Sequence, residues 1–303
     1  DWSSDVCSSD LIEGLKELAQ VMKKNGAKAI VQIHHGGAQA LPELTPDGDV
    51  VAPSAISLKS FGQQEEHDAR EMTAEEIEQT IRDFGEATRR AIEAGFDGVE
   101  IHGANHYLIH QFVSPYYNRR NDVWADNYKF PVAVIDEVVK AKKAHANDDF
   151  IIGYRLSPEE AESPGISMEI TEELIHQIAN KPLDYIHVSL MDVNSVTREG
   201  KYKGENRLEL IHQWINGRMP LIGIGSVFTA EDALNAVENI GVEFVALGRE
   251  ILLDYDFVAK IKEGREDEII NAFDPNREDQ HYLTPNLWEQ FNQGFYPLPR
   301  KDK

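Results

Sequence analysis

Residues 73–104 read TAEEIEQTIRDFGEATRRAIEAGFDGVEIHGA, and within them one periodicity gives way to another. Thr73 followed three positions later by Glu76 is the capping-box signal of a helix start. Apolar residues then recur at helical spacing until Gly95, and a nearly continuous apolar run, FDGVEIHGA, follows. A helix feeding a short strand is the expectation. The same order repeats along the chain. Leu11, Leu15, Leu18 and Met22 fall at helical spacing ahead of Gly26 and AKAIVQIHH. FPVAVIDEVVKAKKAH precedes DFIIGYRLSP, TEELIHQIANKP precedes LDYIHVSL, LELIHQWINGRM precedes PLIGIGSV, and TAEDALNAVENIG precedes VEFVALGRE.

Short runs that are apolar throughout suit parallel strands covered on both faces. Strict helix–strand alternation leaves an open doubly wound sheet or a closed (β/α)8 TIM barrel. The position of the polar residues separates the two. Gln32 to His35, His102, Arg155, His187 to Ser189, Ser226 and Arg249 stand at the C-terminal ends of the strands. A barrel gathers all its strand ends round one mouth, whereas an open sheet concentrates its site at one switch point. The expected fold is therefore an α/β barrel, incomplete here, with about six of its eight strands and the first two missing. Residues 38–72 read as a long strand-to-helix loop, a lid or active-site wall; 113–129 as a second irregular excursion; and 264–303 as a C-terminal extension containing Trp288.

With 303 residues, 41% of them apolar, the chain can bury a sizeable core. A net charge of -23 and a pI near 4.8 disfavour nucleic acid and anionic lipid as partners. No apolar run approaches the roughly 20 residues of a spanning helix, and the N-terminus lacks a signal-peptide layout, so a cytoplasmic protein acting on small molecules is expected. The single cysteine, Cys7, excludes an internal disulfide and a Cys-rich metal site.

The densest chemistry lies in GVEIHGANHYLIHQF, residues 98–112. In a strand ending near His102, Glu100 and His102 share one face, while Val99 and Ile101 take the other. Asn105 and Tyr107 follow in the turn, so an imidazole, an amide and a phenol are presented together, able to bind a carbonyl oxygen and deliver a proton. A hydrogen-bonded structural cluster is the plainer alternative. His102, His106 and His110 are spaced by four and, with His34 and His35, invite a metal reading. Because His102 belongs to a strand, the three do not share a helical face, and no metal ligand set is expected. Near the other end, IGIGSV and VALGRE close consecutive strands with Gly225-Ser226 and Gly248-Arg249, glycines that admit an anion and an arginine that can grip it. Barrels commonly place phosphate after their last two strands. Gln32 and Arg155 complete a pattern suited to an extended phosphorylated ring system.

These residues make the chain resemble the old yellow enzyme family of FMN-dependent NAD(P)H:flavin oxidoreductases, or ene-reductases, from about Ile12 to the C-terminal region. VQIHHGG, AGFDGVEIHGANHYLIHQFVSPYYNRRND, YRLSP, DYIHVS, IGIGSV and ALGREIL carry the resemblance in order. It implies FMN, with NADH or NADPH as reductant and a small enone or enal as substrate. Gln32 matches the glutamine at the flavin pyrimidine edge, Arg155 the arginine beside N1 and O2, and Gly225, Ser226, Gly248 and Arg249 the phosphate cradle. His102 and Asn105 match the pair that holds the substrate carbonyl, and Tyr107 the proton donor. A homo-oligomer is compatible with it. His106 stands where the family often has glycine, and Ala38 where it often has arginine.

The resemblance also implies two strands ahead of Leu11, where this chain has DWSSDVCSSDL. One codon choice for that stretch spells a common sequencing-library adapter read in frame. Residues 1–11 are thus expected to be non-native, residues 12–303 to form one FMN-binding barrel domain with its C-terminal extension, and the chain to be a truncated product that binds FMN poorly, with an inactive fragment as an alternative. The rival enzyme reading is a metal-dependent hydrolase using His34, His35 and His102.

Overall fold

The structure, a computed structural model, describes residues 11–281, 283–294 and 297–301. Residues 1–10, Cys7 included, lie outside the described residues. The chain divides into two compact units, Asp1–Ser189 with Val196–Leu221, and Leu190–Ser195 with Ile222–Lys303.

In the first unit the helix α1 (Ile12–Lys23) leads to β1 (Ile30–Ile33). It forms where expected but turned about its axis: Ile12 and Ala19 are buried, whereas Leu11, Leu18 and Met22 of the expected apolar stripe are exposed. Residues 38–72 hold three short strands instead of an irregular loop: β2 (Val51–Ala52), β3 (Ile56–Leu58) and β4 (His67–Glu71), in the order β2-β4-β3. They close over a small core of Ala38, Val50, Ala52, Ala69 and Tyr117. The excursion 113–129 fastens this cap from below. Buried Arg120 donates to Pro53 O at 2.8 Å and Met72 O at 2.7 Å, and Arg119 Nη2 donates to Ala55 O at 2.7 Å.

The helix α2 (Ala74–Glu93) starts on the complete capping box: Thr73 Oγ1 accepts from Glu76 N, and Glu76 Oε2 accepts from Thr73 N. Gly95 follows it at φ 80, which L side chains rarely adopt. Then come β5 (Gly98–Gly103), α3 (Leu108–Val113), α4 (Lys129–His145), β6 (Ile151–Leu156), α5 (Met168–Ile178), β7 (Tyr185–Val188) and α6 (Arg207–Ile215). The strands β1, β5, β6 and β7 lie side by side in that order, and the registers are parallel.

That register organises the site. Gln32 pairs with Glu100, Glu100 with Gly153 and Gly153 with Tyr185; one step up, His102 pairs with Arg155 and Arg155 with His187. Paired residues share a face and alternate residues repeat it, so all the polar side chains belong to one face of the sheet. Val99, Ile101, Ile152, Tyr154, Leu156, Ile186 and Val188 form the opposite, fully buried face. Ile77, Phe84 and Ala91 of α2 and Val134, Ile135 and Val138 of α4 are buried with them, each large aliphatic side chain contributing roughly 1.5–3 kcal/mol.

In the second unit β8 (Leu221–Ile224), which begins at the boundary, pairs in parallel with β9 (Phe244–Ala246). The helices α7 (Ala230–Asn235), α8 (Arg249–Leu253), α9 (Phe257–Lys262) and α10 (Pro285–Asn292) follow the same alternation and then the extension. Leu253, Phe273 and Phe291 form the buried core of that extension, with Trp288 packed against it. Among the described residues the six strands of the helix–strand repeat are the six the sequence marks out, and no described helix is long and apolar enough to cross a membrane.

Candidate active site

Strand ends and the β5–α3 loop bring the expected residues of the first unit together. His102 is buried, and its ring centroid lies 5.2 Å from that of Tyr107 and 6.0 Å from that of His34; Tyr107 and His34 are 5.0 Å apart. Tyr107 and His34 line a cavity of about 250 Å³ with Gly36, Gln39, Ala40, Leu41, Leu44 and Phe61. Phe61, on the β3–β4 connection of the cap, stands 6.3 Å from Tyr107, ring to ring. A second cavity, about 300 Å³, is lined by His35, Arg70, Met72 and Glu76 among others, and by none of the residues matched to FMN or to substrate.

Burial works against charge on the bases of the site, while hydrogen bonds keep its carboxylate charged. Burial, with the nearby Arg155 charge, pushes His102 down to about 3, so at neutral pH it is an uncharged imidazole that can donate one hydrogen bond. Burial lowers His34 as well. It also opposes the charge on Arg155, whose Nε is fully buried with no hydrogen-bond partner among the described residues. Burial pushes the Glu100 carboxyl up, but hydrogen bonds from His187, Gln32 and Tyr185 outweigh it and hold the group below its ordinary range.

Glu100 is the hub of the polar face. Its Oε1 accepts from Gln32 Nε2 at 2.5 Å; its Oε2 accepts from Tyr185 Oη at 3.0 Å and pairs with His187 Nδ1 at 3.0 Å. The Tyr185 ring crosses β6 to reach it, which only a glycine at 153 permits: a Cβ there would lie 2.0 Å from the Tyr185 ring. With its NH2 given to Glu100, Gln32 keeps its carbonyl oxygen free to accept.

The loop that presents Asn105 and Tyr107 is held by side chains the sequence reading left without a role. Asn105 sits at φ 56, a region asparagine tolerates better than most residues. Its N–H donates to Ser157 Oγ at 3.0 Å and its Oδ1 accepts from Ser189 Oγ at 3.0 Å, while Arg155 Nη2 donates to Ser189 Oγ at 3.1 Å. Arg155, Ser189 and Asn105 are thus linked, and with Oδ1 engaged by Ser189 it is the NH2 of the amide that is left to donate. Buried Gln111 donates to His106 O at 2.5 Å, and Leu108 N donates to His35 O at 3.0 Å. Ser189 is among the polar strand-end residues marked in the sequence, though without a role, and Ser157 in YRLSP, directly after β6, carries the same signal.

In the second unit Ser226 Oγ donates to Met191 O at 2.7 Å, and Arg249 Nη2 donates to Met191 O at 3.0 Å and Ser226 Oγ at 3.1 Å. Gly225 has φ 134, and a Cβ on it would come within 2.5 Å of Asp192 N, so a side chain is excluded there. Gly248 is not under that constraint, since a Cβ would meet only Ile224 Cδ1, at 3.8 Å. Gly225, Ser226 and Arg249 therefore form one cluster beside which Gly248 leaves room.

The hydrolase reading fails on its histidines. His35 spends Nδ1 accepting from Gly37 N at 3.0 Å, and among the described residues His34, His35 and His102 form no group within ligating reach. His106, His110 and Glu160 do.

The family described as "NADH:flavin oxidoreductase / NADH oxidase family" matches residues 2–268. Among curated relatives, the Bacillus subtilis (strain 168) protein named "Probable NADH-dependent flavin oxidoreductase YqiG" is 48% identical over 292 residues, covering 94% of this chain and 77% of the relative. The "NADH:fumarate oxidoreductase" of Klebsiella pneumoniae (strain 342) is 38% identical over 291 residues, which are 93% of this chain but 30% of that protein. Among solved structures, the old yellow enzyme homologue from Zymomonas mobilis superposes with a TM-score of 0.71 at 21% identity, covering 93% of this chain and 78% of that one. That likeness concerns the fold, the (β/α) barrel to which the six strands belong. FMN is the family's cofactor and NADH or NADPH its reductant. The chain is a member of the NADH:flavin oxidoreductase / NADH oxidase family, and an oxidoreductase by that membership.

Proposed function

We propose that the protein is a cytoplasmic FMN-dependent ene-reductase, passing hydride from NADH or NADPH to the C=C bond of a small α,β-unsaturated carbonyl compound, within a single FMN-binding domain over residues 12–303. When bound, FMN supplies the hydride relay between nicotinamide and substrate. The protein's residues supply binding, orientation and one proton. His102, uncharged, and the NH2 of Asn105 donate hydrogen bonds to the substrate oxygen, where negative charge develops during reduction. Tyr107 holds the proton for the carbon next to the carbonyl. The cap, with Phe61 at its tip, covers the apolar part of the substrate and excludes water.

The observation that carries this reading is the ring cluster of His102, Tyr107 and His34, of which Tyr107 and His34 line one cavity, on a loop whose Asn105 amide is fixed in orientation through Ser189 and Arg155. The residues assigned to the cofactor fit it. Arg155 Nε is a buried donor wanting an anionic acceptor, as the edge of a reduced flavin is, and Gln32 has its carbonyl aligned by Glu100. Gly225, Ser226, Gly248 and Arg249 are assigned to the phosphate.

The purified protein, reconstituted with excess FMN, should hold it as a yellow complex, bleach under nitrogen with NADH or NADPH, and regain its colour with cyclohexenone. Fumarate and acrylate, named for relatives that this chain matches over about a third of their length or less, are assayed beside it. Tyr107→Phe should keep its flavin and lose most enone turnover while still being bleached. A protein that retains no flavin after reconstitution with FMN, or a Tyr107→Phe variant as fast as the parent, would overturn the assignment.

A further inference from the structure

Behind the loop that carries Asn105 and Tyr107 lies a second polar cluster, on which the chemistry above makes no demand. His106 Nδ1 and His110 Nε2 lie 3.7 and 2.7 Å from one oxygen, Glu160 Oε2, and the two imidazole centroids are 4.6 Å apart. The side chains of His110 and Glu160 are completely buried, and that of His106 is three-quarters so. The carboxylate cannot turn away: its other oxygen accepts from Ser114 Oγ and, at 2.8 Å, from Ile166 N. Three atoms at this place are fully buried with no hydrogen-bond partner among the described residues, His106 Nδ1, His110 Nδ1 and Glu162 Oε2.

The backbone adds a cost. His106 sits at φ 59, directly after Asn105 at φ 56, in the left-handed region that glycine enters freely and a β-carbon enters at about 1–2 kcal/mol. An imidazole held there at a cost, its nitrogen unpaired and aimed at a fixed carboxylate, is poorly explained by packing alone. Zinc binds imidazole nitrogen and carboxylate oxygen at about 2.0–2.2 Å, which sets neighbouring ligand atoms roughly 3.3 Å apart in a tetrahedron. The separations of 2.7 and 3.7 Å straddle that value, and all three ligand atoms fall within 4.8 Å of one another.

We propose that His106, His110 and Glu160 bind a divalent transition-metal cation of the zinc class, with Glu162 as the candidate fourth ligand. The cation would be a clamp, not a reactant. It would tie the β5–α3 loop to the segment after β6 and so hold Asn105 and Tyr107 in place. Imidazole with carboxylate is a donor set that suits zinc and its neighbours over magnesium or calcium.

The full chain is stripped with chelator, its flavin content recorded, and titrated with Zn2+ against a chromophoric chelator; Co2+ is added in parallel and its ligand-field bands are followed. The parent should take one tight equivalent, gain thermal stability with Zn2+, and give the intense bands of a low-symmetry cobalt site. His106→Gly, which restores the residue that the backbone favours, should weaken binding by a factor on the order of 100, the upper end of what even outer-shell changes cost. Its flavin content should be unchanged. His110→Gln, checked for folding by circular dichroism, should do the same, and if it does not fold His106→Gly decides alone. Equal stoichiometry and affinity in parent and His106→Gly, or no tight equivalent in the parent, would overturn the proposal.

Discussion

The residues assigned to the first unit's site are held in two different ways. Gln32, Glu100, His102, Arg155 and His187 stand on adjacent parallel strands, where register alone fixes which side chain meets which. Asn105 and Tyr107 stand on a loop, where Asn105 and His106, two successive left-handed residues, and hydrogen bonds with Ser157, Ser189 and Gln111 do the holding. The strand set resists displacement because moving one residue disturbs a ladder; the loop set is placed by a few separate bonds. Damage to the first should therefore appear as lost stability and lost flavin together, and damage to the second as altered catalysis in a protein that stays folded.

The sharpest break is Gly153→Ala. Its Cβ would lie 2.0 Å from the Tyr185 ring, between backbone and an aromatic bonded to Glu100, so the ring has no easy retreat. Overpacking of this kind costs about 3 kcal/mol. A urea titration should show that loss, and the released Glu100 should let Gln32 reorient, with less flavin retained. Next comes Ser189→Ala, which removes the acceptor of Arg155 Nη2 and the donor to Asn105 Oδ1. The expected result is a roughly tenfold fall in kcat/KM for the enone, equivalent to one hydrogen bond of about 1.4 kcal/mol, with flavin content unchanged. A variant that loses flavin instead would move Ser189 into the strand-held set.

The same contrast governs what could be read in advance. The capping box at Thr73, the glycine after α2, the six strands and the shared face of Glu100 and His102 are local patterns, and local patterns survive in a sequence. Tyr185 reaching Glu100 across Gly153 depends on register between strands 85 positions apart in the pair, which periodicity does not carry. The cap strands are two to five residues long, too short for alternation to show. On α1 the helix was legible but its inward face was not, because Ile12, Leu15 and Ala19 make an apolar stripe as regular as the expected one. The meeting of His106 with His110 was hidden in the sequence for a related reason. His102 is on a strand as expected, yet His106 and His110 meet without it, joined by Glu160 from 50 positions on in sequence from His110.

A finer test separates backbone from side chain in the loop set. Asn105→Gly keeps the left-handed conformation and removes the amide, while Asn105→Ala removes the amide and adds strain. Both should slow enone reduction alike, and the alanine variant alone should be less stable, by about 1 kcal/mol in urea. Two variants of equal stability would mean the loop relaxes, and that its conformation is not what Asn105 is there to supply.

The smallest expected signal is a slope in the strand set. Glu100 faces Gln32, Tyr185 and His187, with the Arg155 charge nearby, and its carboxyl is held below its ordinary value of 4.5. A group whose folded pKa is depressed binds protons less readily than in the unfolded chain, so its stabilisation is complete above that ordinary value and is lost as pH falls through the folded one. Glu100→Gln cannot titrate. Urea midpoints measured from neutral pH down through the carboxylate range should fall less steeply for Glu100→Gln than for the parent, while flavin content reports whether Gln32 keeps its orientation. Parallel profiles would mean that the carboxylate is not stabilised by its three donors, and the register of β1, β5, β6 and β7 would then have to hold the polar face without help from its hub.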